Sequence, residues 1–477
     1  MKNLFIRLCL FILSSLFLSN VVLYGQQAEK NYTSLWEGSI KAGAVSMRIV
    51  VKVFKNEDGS IAAHLDSPDQ GVKNVPLDKI TLSGDSLKFE LSISKVKYAG
   101  AVVKDSGIVR GKWLQAGSST QLDFKKVEKL TEVKRPQSPK PPFPYNEEEV
   151  SFDNSLAKFK LAGTLTYPKG NQKFPAVVLV TGSGQQNRDE EIFGHKPFLV
   201  IADYLSRNGI AVLRCDDRGK GQSKGTFAGC TTADFATDAQ AAVEYLKTRK
   251  EIDLKKIGIA GHSEGGEIAP MVAVSSNDVG FIILLAGPGV RGDELLLKQT
   301  ELVMKSGDSK KEDIEKAVSI NKKAYSIIVN EPDSAAAYKK LNLLYEEEIS
   351  KLNENEKKKE EYSLQSFNAM VNTVLSPWFR FFLKYDPRPT LESVTVPVLA
   401  LNGGSDVQVS PKENLSGIEN ALKNGGNKKF KIVELPGLNH LFQHCKTCAV
   451  AEYGQLEETF SEDALKIMKD WILEVTK

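Results

Sequence analysis

One short stretch, residues 257–266, limits what this 477-residue chain can fold into more than any other. It reads Ile-Gly-Ile-Ala-Gly-His-Ser-Glu-Gly-Gly, an apolar run that ends in Gly-x-Ser-x-Gly before a helix-like segment. Small residues two places before and two places after a serine let a chain turn sharply from strand to helix, which presents the serine hydroxyl above the sheet. The stretch therefore predicts a strand, a tight turn and a helix, with Ser263 as a nucleophile.

A serine nucleophile on such a turn needs an acid and then a histidine, in that order, in loops after later strands. The chain has five histidines. Three are excluded. His64 lies in an N-terminal β-rich region, His195 precedes the serine, and His262 lies inside the turn itself. Of the remaining two, His440 is preferred because it lies in a turn-rich loop directly after the strand-like residues 430–435, whereas His444 lies one helical turn further on.

Asp406 is the predicted acid. It stands at the tip of a glycine loop that follows an apolar, strand-like run, within residues 396–406. A serine hydroxyl is a weak nucleophile near neutral pH, so a neutral imidazole, here that of His440, must take its proton and later return it to the leaving group. Asp406 would hold the required tautomer and stabilise the imidazolium that forms.

The negative oxygen that develops at the attacked carbonyl needs preorganised N–H donors. One is the backbone N–H of the residue after the nucleophile, which is Glu264. The second should come from the loop after an earlier strand, and residues 176–180, followed by Thr-Gly-Ser-Gly, fit that place. Ser183 is the preferred second donor and Gly184 is the alternative.

A second Gly-x-Ser-x-Gly match occurs at residues 221–225. The strand-like residues 210–215 end well before it, and charged residues and glycines fill the gap. Ser223 is therefore predicted to lie in a surface loop and not on a catalytic turn. The neighbouring Asp-Asp-Arg at 216–218 is predicted to form structural ion pairs that support the active-site loops.

From about residue 147 to the C-terminus, the chain resembles the α/β-hydrolase superfamily. Within it, the chain is similar to bacterial carboxylesterases of the EstD type, which are related to serine aminopeptidase-like and prolyl-oligopeptidase-like hydrolases. The segments that carry the resemblance are residues 182–190, 216–225, 257–266, 377–380, 385–387, the Asp406 loop and 437–440. The resemblance implies hydrolysis of short-chain carboxylic esters, with a small-molecule ester as substrate.

We expect no cofactor and no metal for this chemistry. Two other functions stay open. The same three side chains support a peptidase or amidase of the serine aminopeptidase type, because only the pocket decides between ester and amide. The third hypothesis is that the protein is non-catalytic and acts as a glycan-binding or scaffold protein.

A proline-rich segment, residues 133–146, separates two regions of different pattern, and its prolines favour an extended, semi-rigid spacer. Before it, residues 26–132 alternate apolar and polar side chains between turn signals, which predicts an all-β accessory domain. Trp36 and Trp113 are predicted to pack in its core or at its edges, with sugar stacking as the alternative. Contact with a glycan or another protein through this domain stays open.

Past the linker, alternating strand-like and helix-like segments predict an α/β-hydrolase fold with a mostly parallel eight-stranded sheet and helices on both faces. About a hundred residues, 290–390, interrupt this alternation, where connections of about 2 to 6 residues are typical. Their helical periodicity predicts a cap over the serine, so the hydrolase domain is expected in two parts, 147–289 and 391–477. Within the cap, Trp378 and Phe379 are predicted to line the substrate pocket, with ordinary packing as the alternative.

The first 25 residues have the pattern of a secretory signal peptide. Lys2 and Arg7 precede an apolar core at roughly residues 8–18, and Gly25 offers a small residue for cleavage. The core is too short for a comfortable membrane span, so we predict a secreted or periplasmic protein without stable membrane insertion after cleavage. An uncleaved anchor is the alternative. Cleavage would lower the formal net charge from +3 to +1 by removing the two basic residues, and a near-neutral chain gives no reason to expect nucleic acid as a partner.

The spacing Cys445-Lys-Thr-Cys448 resembles a redox motif or half of a metal site. There is no second cysteine pair at zinc spacing, so in an exported protein a disulfide is favoured. Cys215 and Cys230 are expected to be a buried thiol and a loop thiol.

Overall fold

The structure is a computed structural model that describes residues 31–42, 45–70, 72–115, 118–131, 134–357 and 362–477. The predicted signal peptide lies outside these residues. Two sheets, a linker and a helical insertion account for the described part. A search of the described residues found no helix with the length and apolar character that a membrane crossing requires.

The N-terminal region is an antiparallel sheet of nine strands. They are β1 Tyr32–Ala42, β2 Val45–Lys55, β3 Ile61–Ser67, β4 Val72–Pro76, β5 Lys79–Leu82, β6 Ser86–Leu91, β7 Val96–Val103, β8 Ile108–Gln115 and β9 Ser118–Val127. Their order is β4-β3-β2-β1-β9-β8-β7-β6-β5. The sheet curls around its own apolar core, so that β3 also contacts β5. Trp36 and Trp113 are only 6% exposed in this core, so they pack inside it and present no open ring for sugar stacking.

The linker after this sheet does not act as a simple spacer. Arg135 donates hydrogen bonds from its guanidinium to the backbone carbonyls of Phe193, Gly194, Gly454 and Leu456, at 2.6 to 3.4 Å. The linker is therefore docked on loops of the following domain through one forked cation.

The second sheet has eight strands. They are β10 Tyr145–Asn154, β11 Phe159–Pro168, β12 Phe174–Val180, β13 Ala211–Cys215, β14 Ile252–His262, β15 Phe281–Leu285, β16 Val398–Gly403 and β17 Phe430–Leu435. Their order is β10-β11-β13-β12-β14-β15-β16-β17. β11 runs antiparallel to both β10 and β13, and the other pairs are parallel. Strands buried on both faces need nearly continuous apolar sequence, and all five residues of β15 are buried.

Helices cover both faces of this sheet, as predicted. One face packs against α2 Thr232–Lys247, α3 Gly265–Ser275 and α11 Pro411–Asn424. The other face packs against α1 Pro197–Arg207 and α12 Glu462–Val475. The α/β-hydrolase fold class expected from the sequence is confirmed.

The insertion between β15 and β16 is helical. It contains α4 Gly292–Ser306, α5 Lys311–Asn330, α6 Ser334–Ser350, α7 Glu354–Lys357, α8 Leu364–Val374, α9 Pro377–Lys384 and α10 Pro387–Glu392. It has an apolar core of its own, to which Leu295, Ile320 and Phe367 contribute. Helical periodicity in α5 and α6 predicted this layer, and the structure adds the shorter helices that complete it.

Candidate active site

The Gly-x-Ser-x-Gly turn joins β14 to α3 and holds Ser263 at φ +52°. This left-handed conformation is costly for a residue other than glycine and marks a functional constraint. A Cβ atom on Gly261 would lie 1.9 Å from the Gly265 carbonyl oxygen, and one on Gly265 would lie 2.3 Å from the Val180 carbonyl oxygen. Neither position can carry a side chain, so both flanking glycines are needed for the turn.

Asp406 and His440 form a buried pair in the loops after β16 and β17. Oδ2 of Asp406 lies 2.7 Å from Nδ1 of His440, and the two residues are 3% and 5% exposed. Oδ1 of Asp406 accepts the backbone N–H groups of Gln408 and Val409 at 2.7 and 2.9 Å. Both carboxylate oxygens are thus engaged, which fixes the carboxylate and leaves Nε2 of His440 for another partner.

Two contacts place Ser263 beside these loops. Nε2 of His262, the residue before Ser263, lies 3.0 Å from the backbone carbonyl oxygen of His440. A Cβ atom on Gly182, in the loop after β12, would lie 3.1 Å from Cβ of Ser263. The serine, the histidine and the acid therefore lie at one edge of the sheet, where the parallel strands end.

The predicted oxyanion donors border the same edge. The N–H of Gly182 donates to Oε1 of Glu190 at 2.8 Å. Among the described residues, no hydrogen-bond acceptor is found for the backbone N–H groups of Ser183, Gly184 or Glu264. All three can donate to a ligand, so the choice between Ser183 and Gly184 stays a prediction.

Comparison with known proteins finds similarity to hydrolases. The family model described as serine aminopeptidase, S33, matches residues 196–353. Esterase EstD of Thermotoga maritima is 28% identical over 326 residues, which are 68% of this chain and 66% of the relative. The chain is therefore similar in sequence to known hydrolases, and its sheet and helices have the α/β-hydrolase arrangement. It spans just under two thirds of that relative's length.

The solved structures to which this chain is similar include two esterases. An esterase of Pyrococcus furiosus is 15% identical, with 73% of this chain and 100% of that chain covered at a TM-score of 0.43. Est1E of Butyrivibrio proteoclasticus, solved with ferulic acid, is 20% identical, with 69% and 99% covered at a TM-score of 0.39.

The Glu264 side chain ties the turn of this α/β-hydrolase to its cap. Glu264 is 2% exposed, and its Oε1 accepts from Oγ1 of Thr232 at 2.7 Å and from Nε1 of Trp378 at 2.9 Å. Burial raises the pKa of this carboxyl above its ordinary value, although the hydrogen bonds oppose the rise. Trp378 thus contacts the residue that follows Ser263 and also packs against the cap core, and its place in a substrate pocket stays a prediction. Phe379 is only 1% exposed and packs in the cap core, the alternative left open for it.

A cavity of about 50 Å³ adjoins the turn. Its lining includes Gly182, Gly184, Glu264, Phe227 and Phe235. The two phenylalanines stack with centroids 4.9 Å apart. Sequence reasoning missed both rings, because Phe227 lies in an irregular loop and Phe235 in a helix, with no local pattern to connect them.

The acidic cluster before the turn is structural, as predicted. Asp216 pairs with Arg188 at 2.7 Å and Arg218 pairs with Asp238 at 2.7 Å. Asp217 supports the loop that carries the oxyanion donors: it accepts from Oγ1 of Thr181 at 2.8 Å and from the N–H of Gln186 at 2.6 Å. Burial raises the pKa of Asp217 to about 8.

The predicted surface position of Ser223 was wrong. Ser223 is 5% exposed, and its hydroxyl accepts the N–H of Ala162 at 2.9 Å and donates to the carbonyl of Asp216 at 2.7 Å. The second Gly-x-Ser-x-Gly match thus buries its hydroxyl in backbone hydrogen bonds, which removes Ser223 as a nucleophile for a reason that the sequence did not supply.

The other predicted groups fall outside the site. The side chain of His444 is 61% exposed and lies 2.9 Å from Glu458. Cys445 and Cys448 form the favoured disulfide in the segment after His440. Cys215 and Cys230 are free thiols.

Proposed function

We propose that this α/β-hydrolase is a serine carboxylesterase that hydrolyses short-chain carboxylic esters through an acyl-enzyme. One observation carries the proposal: the buried 2.7 Å contact between Asp406 and His440, next to a serine held at φ +52°. A hydrogen bond that serves only stability does not require a strained serine beside it. The esterase name of the curated relative supports the same chemistry.

The reaction would take two steps. Oγ of Ser263 attacks the ester carbonyl carbon while Nε2 of His440 takes the hydroxyl proton, and the N–H groups of Glu264 and Ser183 stabilise the oxyanion. The C–O bond to the alcohol breaks, and His440 returns the proton to the leaving oxygen. Water then attacks the acyl-enzyme by the same route. Asp406 stabilises the imidazolium in both steps without taking its proton.

The cavity beside the turn supports a small acyl group. Its volume, about 50 Å³, is far below the roughly 300–1,000 Å³ of pockets for drug-sized ligands. Its lining combines the rings of Phe227 and Phe235 with the acidic side chains of Asp216, Asp217, Asp238 and Glu264, which suits a short neutral chain better than a negatively charged one. We therefore expect acetyl and butyryl esters to be turned over faster than octanoyl esters.

The two Gly-x-Ser-x-Gly serines provide a matched test. Ser263→Ala should fold, lose hydrolysis of p-nitrophenyl acetate and lose labelling by a fluorophosphonate probe. Ser223→Ala should keep both, because its hydroxyl is engaged with backbone groups. Unchanged turnover in Ser263→Ala would remove that serine from the mechanism.

Peptide or amide hydrolysis is the second candidate, because the matching family model is described as a serine aminopeptidase. Amino-acid p-nitroanilides with free and with blocked amines, compared with the matching esters, separate the two activities. A probe-labelled enzyme that cleaves the anilides faster than the esters would be a peptidase. A scaffold protein, the third reading, should not react with the probe at all.

We also propose a secreted or periplasmic location, on the pattern of residues 1–25. Fractionation of expressing cells and N-terminal sequencing of the mature protein test it. A start near residue 26 in the exported fraction is expected, whereas an intact N-terminus in the membrane fraction would indicate an anchor.

A further inference from the structure

His262, the residue before the serine, has each of its ring nitrogens within hydrogen-bonding distance of an oxygen atom. Nδ1 lies 2.9 Å from Oε1 of Glu190, and Nε2 lies 3.0 Å from the backbone carbonyl oxygen of His440. His262 is 6% exposed and Glu190 is 2% exposed. The same Oε1 accepts the N–H of Gly182 at 2.8 Å. One side chain thus links the serine turn, the His440 loop and the loop that carries the oxyanion donors.

These partners determine how many protons His262 carries. A backbone carbonyl can only accept a hydrogen bond, so Nε2 of His262 must be protonated. Oε1 of Glu190 also accepts the Gly182 N–H, and an ionised carboxylate only accepts, so opposite a carboxylate Nδ1 must be protonated too. A neutral imidazole has a single N–H. With Glu190 as a carboxylate, only the imidazolium form of His262 satisfies both contacts.

We propose that His262 is a positioning residue that works as an imidazolium. It donates one hydrogen bond to the Glu190 carboxylate and one to the His440 carbonyl, and so it orients the His440 ring toward Ser263. The rings of His262 and His440 lie 4.8 Å apart between centroids, with their planes tilted by 43°. A histidine loop without this bond would be free to shift, and a shift of about 1 Å in a reacting group can cost about 10²-fold in rate. The proposal rests on the esterase function argued above.

The electrostatics around His262 agree with this protonation state. Burial alone would lower its pKa, but the Glu190 carboxylate, the His440 carbonyl and the more distant Asp406 outweigh burial, so the pKa of His262 lies above its ordinary value. Glu190, Asp406 and His440 are the titratable groups that face it, each from a different loop. Phe442 adds an apolar ring contact at 6.5 Å.

Nuclear magnetic resonance on the full chain labelled with ¹⁵N-histidine tests the protonation state without any substrate. At pH 8, one buried histidine should show a proton on both ring nitrogens, and this signal should disappear in His262→Gln. His444→Gln is the matched control, since it removes the exposed histidine–glutamate pair and should leave the signal in place. A wild-type spectrum in which each buried histidine carries one ring proton would overturn the proposal, even if no variant folds.

Kinetics test the positioning role. Glu190→Gln keeps an acceptor for Gly182 and removes the charge that holds the imidazolium. Its kcat should fall by about 10- to 10²-fold at pH 8 and by less at pH 6, because the buried His262 of the variant is protonated to a greater extent at the lower pH. KM should change little, because the interaction is not with substrate. An equal loss at both pH values would mean that Glu190 acts through structure alone.

The two tests fail separately from the proposed function. If Ser263→Ala keeps its activity, the esterase mechanism is wrong, but the doubly protonated histidine can still be observed. If the spectrum shows a neutral His262 in an active esterase, only the positioning proposal is lost.

Discussion

Trp378 donates a hydrogen bond from Nε1 to Oε1 of Glu264 at 2.9 Å. The tryptophan belongs to the cap helix α9, and the glutamate directly follows Ser263 on the Gly-x-Ser-x-Gly turn. The bond therefore couples the position of the cap to the turn that carries the proposed nucleophile. Since Glu264 is buried, losing one of its donors is costly.

Trp378→Phe should separate this bond from ordinary packing. The phenyl ring keeps apolar contact but cannot donate, so the free energy of unfolding should fall by about 1–3 kcal/mol. We also expect the ratio of kcat/KM for acetyl and hexanoyl esters to change, because the cap loses its attachment at the site. Phe379→Leu is the control: urea unfolding should show a loss of stability, because a buried ring is truncated, while the ester ratio stays constant. If the ratio of kcat/KM for the two esters is the same in Trp378→Phe as in Phe379→Leu, then Trp378 contributes only packing.

Asp406→Asn should nearly abolish turnover without unfolding the protein. The amide oxygen can still accept from Gln408 and Val409, which places its NH₂ group against Nδ1 of His440. Nδ1 would then accept, Nε2 would carry the proton, and the histidine could no longer take the proton of Ser263. By analogy with the same change in a serine protease, kcat should drop about 10³- to 10⁴-fold. Thermal unfolding checks that the fold is intact, and a loss below tenfold contradicts the proposed role.

Asp217 should give the protein a pH-dependent stability. Its pKa of about 8 in the folded state is above the roughly 3.9 of an exposed aspartate. Between these values the folded state keeps a proton that the unfolded state has lost, so stability falls as pH rises. A full proton difference would give about 1.4 kcal/mol per pH unit, and partial solvent access makes the expected slope smaller.

Asp217→Asn checks this sign. The amide can accept from the Gln186 N–H and donate to Thr181, and it does not titrate. Between pH 6 and 8.5, the unfolding free energy of the wild type should fall relative to that of the variant. Parallel curves for the two proteins would show that Asp217 is ionised in the folded state throughout this range.

The sequence predicted the order and positions of the candidate residues more easily than their surroundings. Ser263, Asp406 and His440 could be placed because each follows an apolar strand-like run, and parallel strands end at a common edge. Glu264 and Trp378 are 114 residues apart, and no local periodicity connects them. Ser223 was placed at the surface because glycines and charges flank it, whereas backbone hydrogen bonds from a distant strand bury it. Such contacts depend on how loops meet, which the pattern of one segment does not contain.

The last prediction concerns Arg135, which lies in the linker between the β domain and the α/β domain. Burial, together with the nearby Arg48 cation, lowers its pKa to about 10, so it stays charged near neutral pH and donates to carbonyls of two separate loops. Arg135→Ala should cost about 2–4 kcal/mol, because these acceptors lose a charged donor. It should also speed proteolysis within residues 134–144.

The matched control for Arg135→Ala is Arg110→Ala. Arg110 pairs with Asp123 on the β domain, but its side chain is 67% exposed, and exposed ion pairs contribute about 0–1 kcal/mol. Limited trypsin digestion and calorimetry would show whether Arg135→Ala splits one unfolding transition into two. Linker cleavage as slow as in Arg110→Ala would mean that other contacts, such as the bond from Gln137 to the Phe460 carbonyl at 2.7 Å, are enough to keep the linker docked.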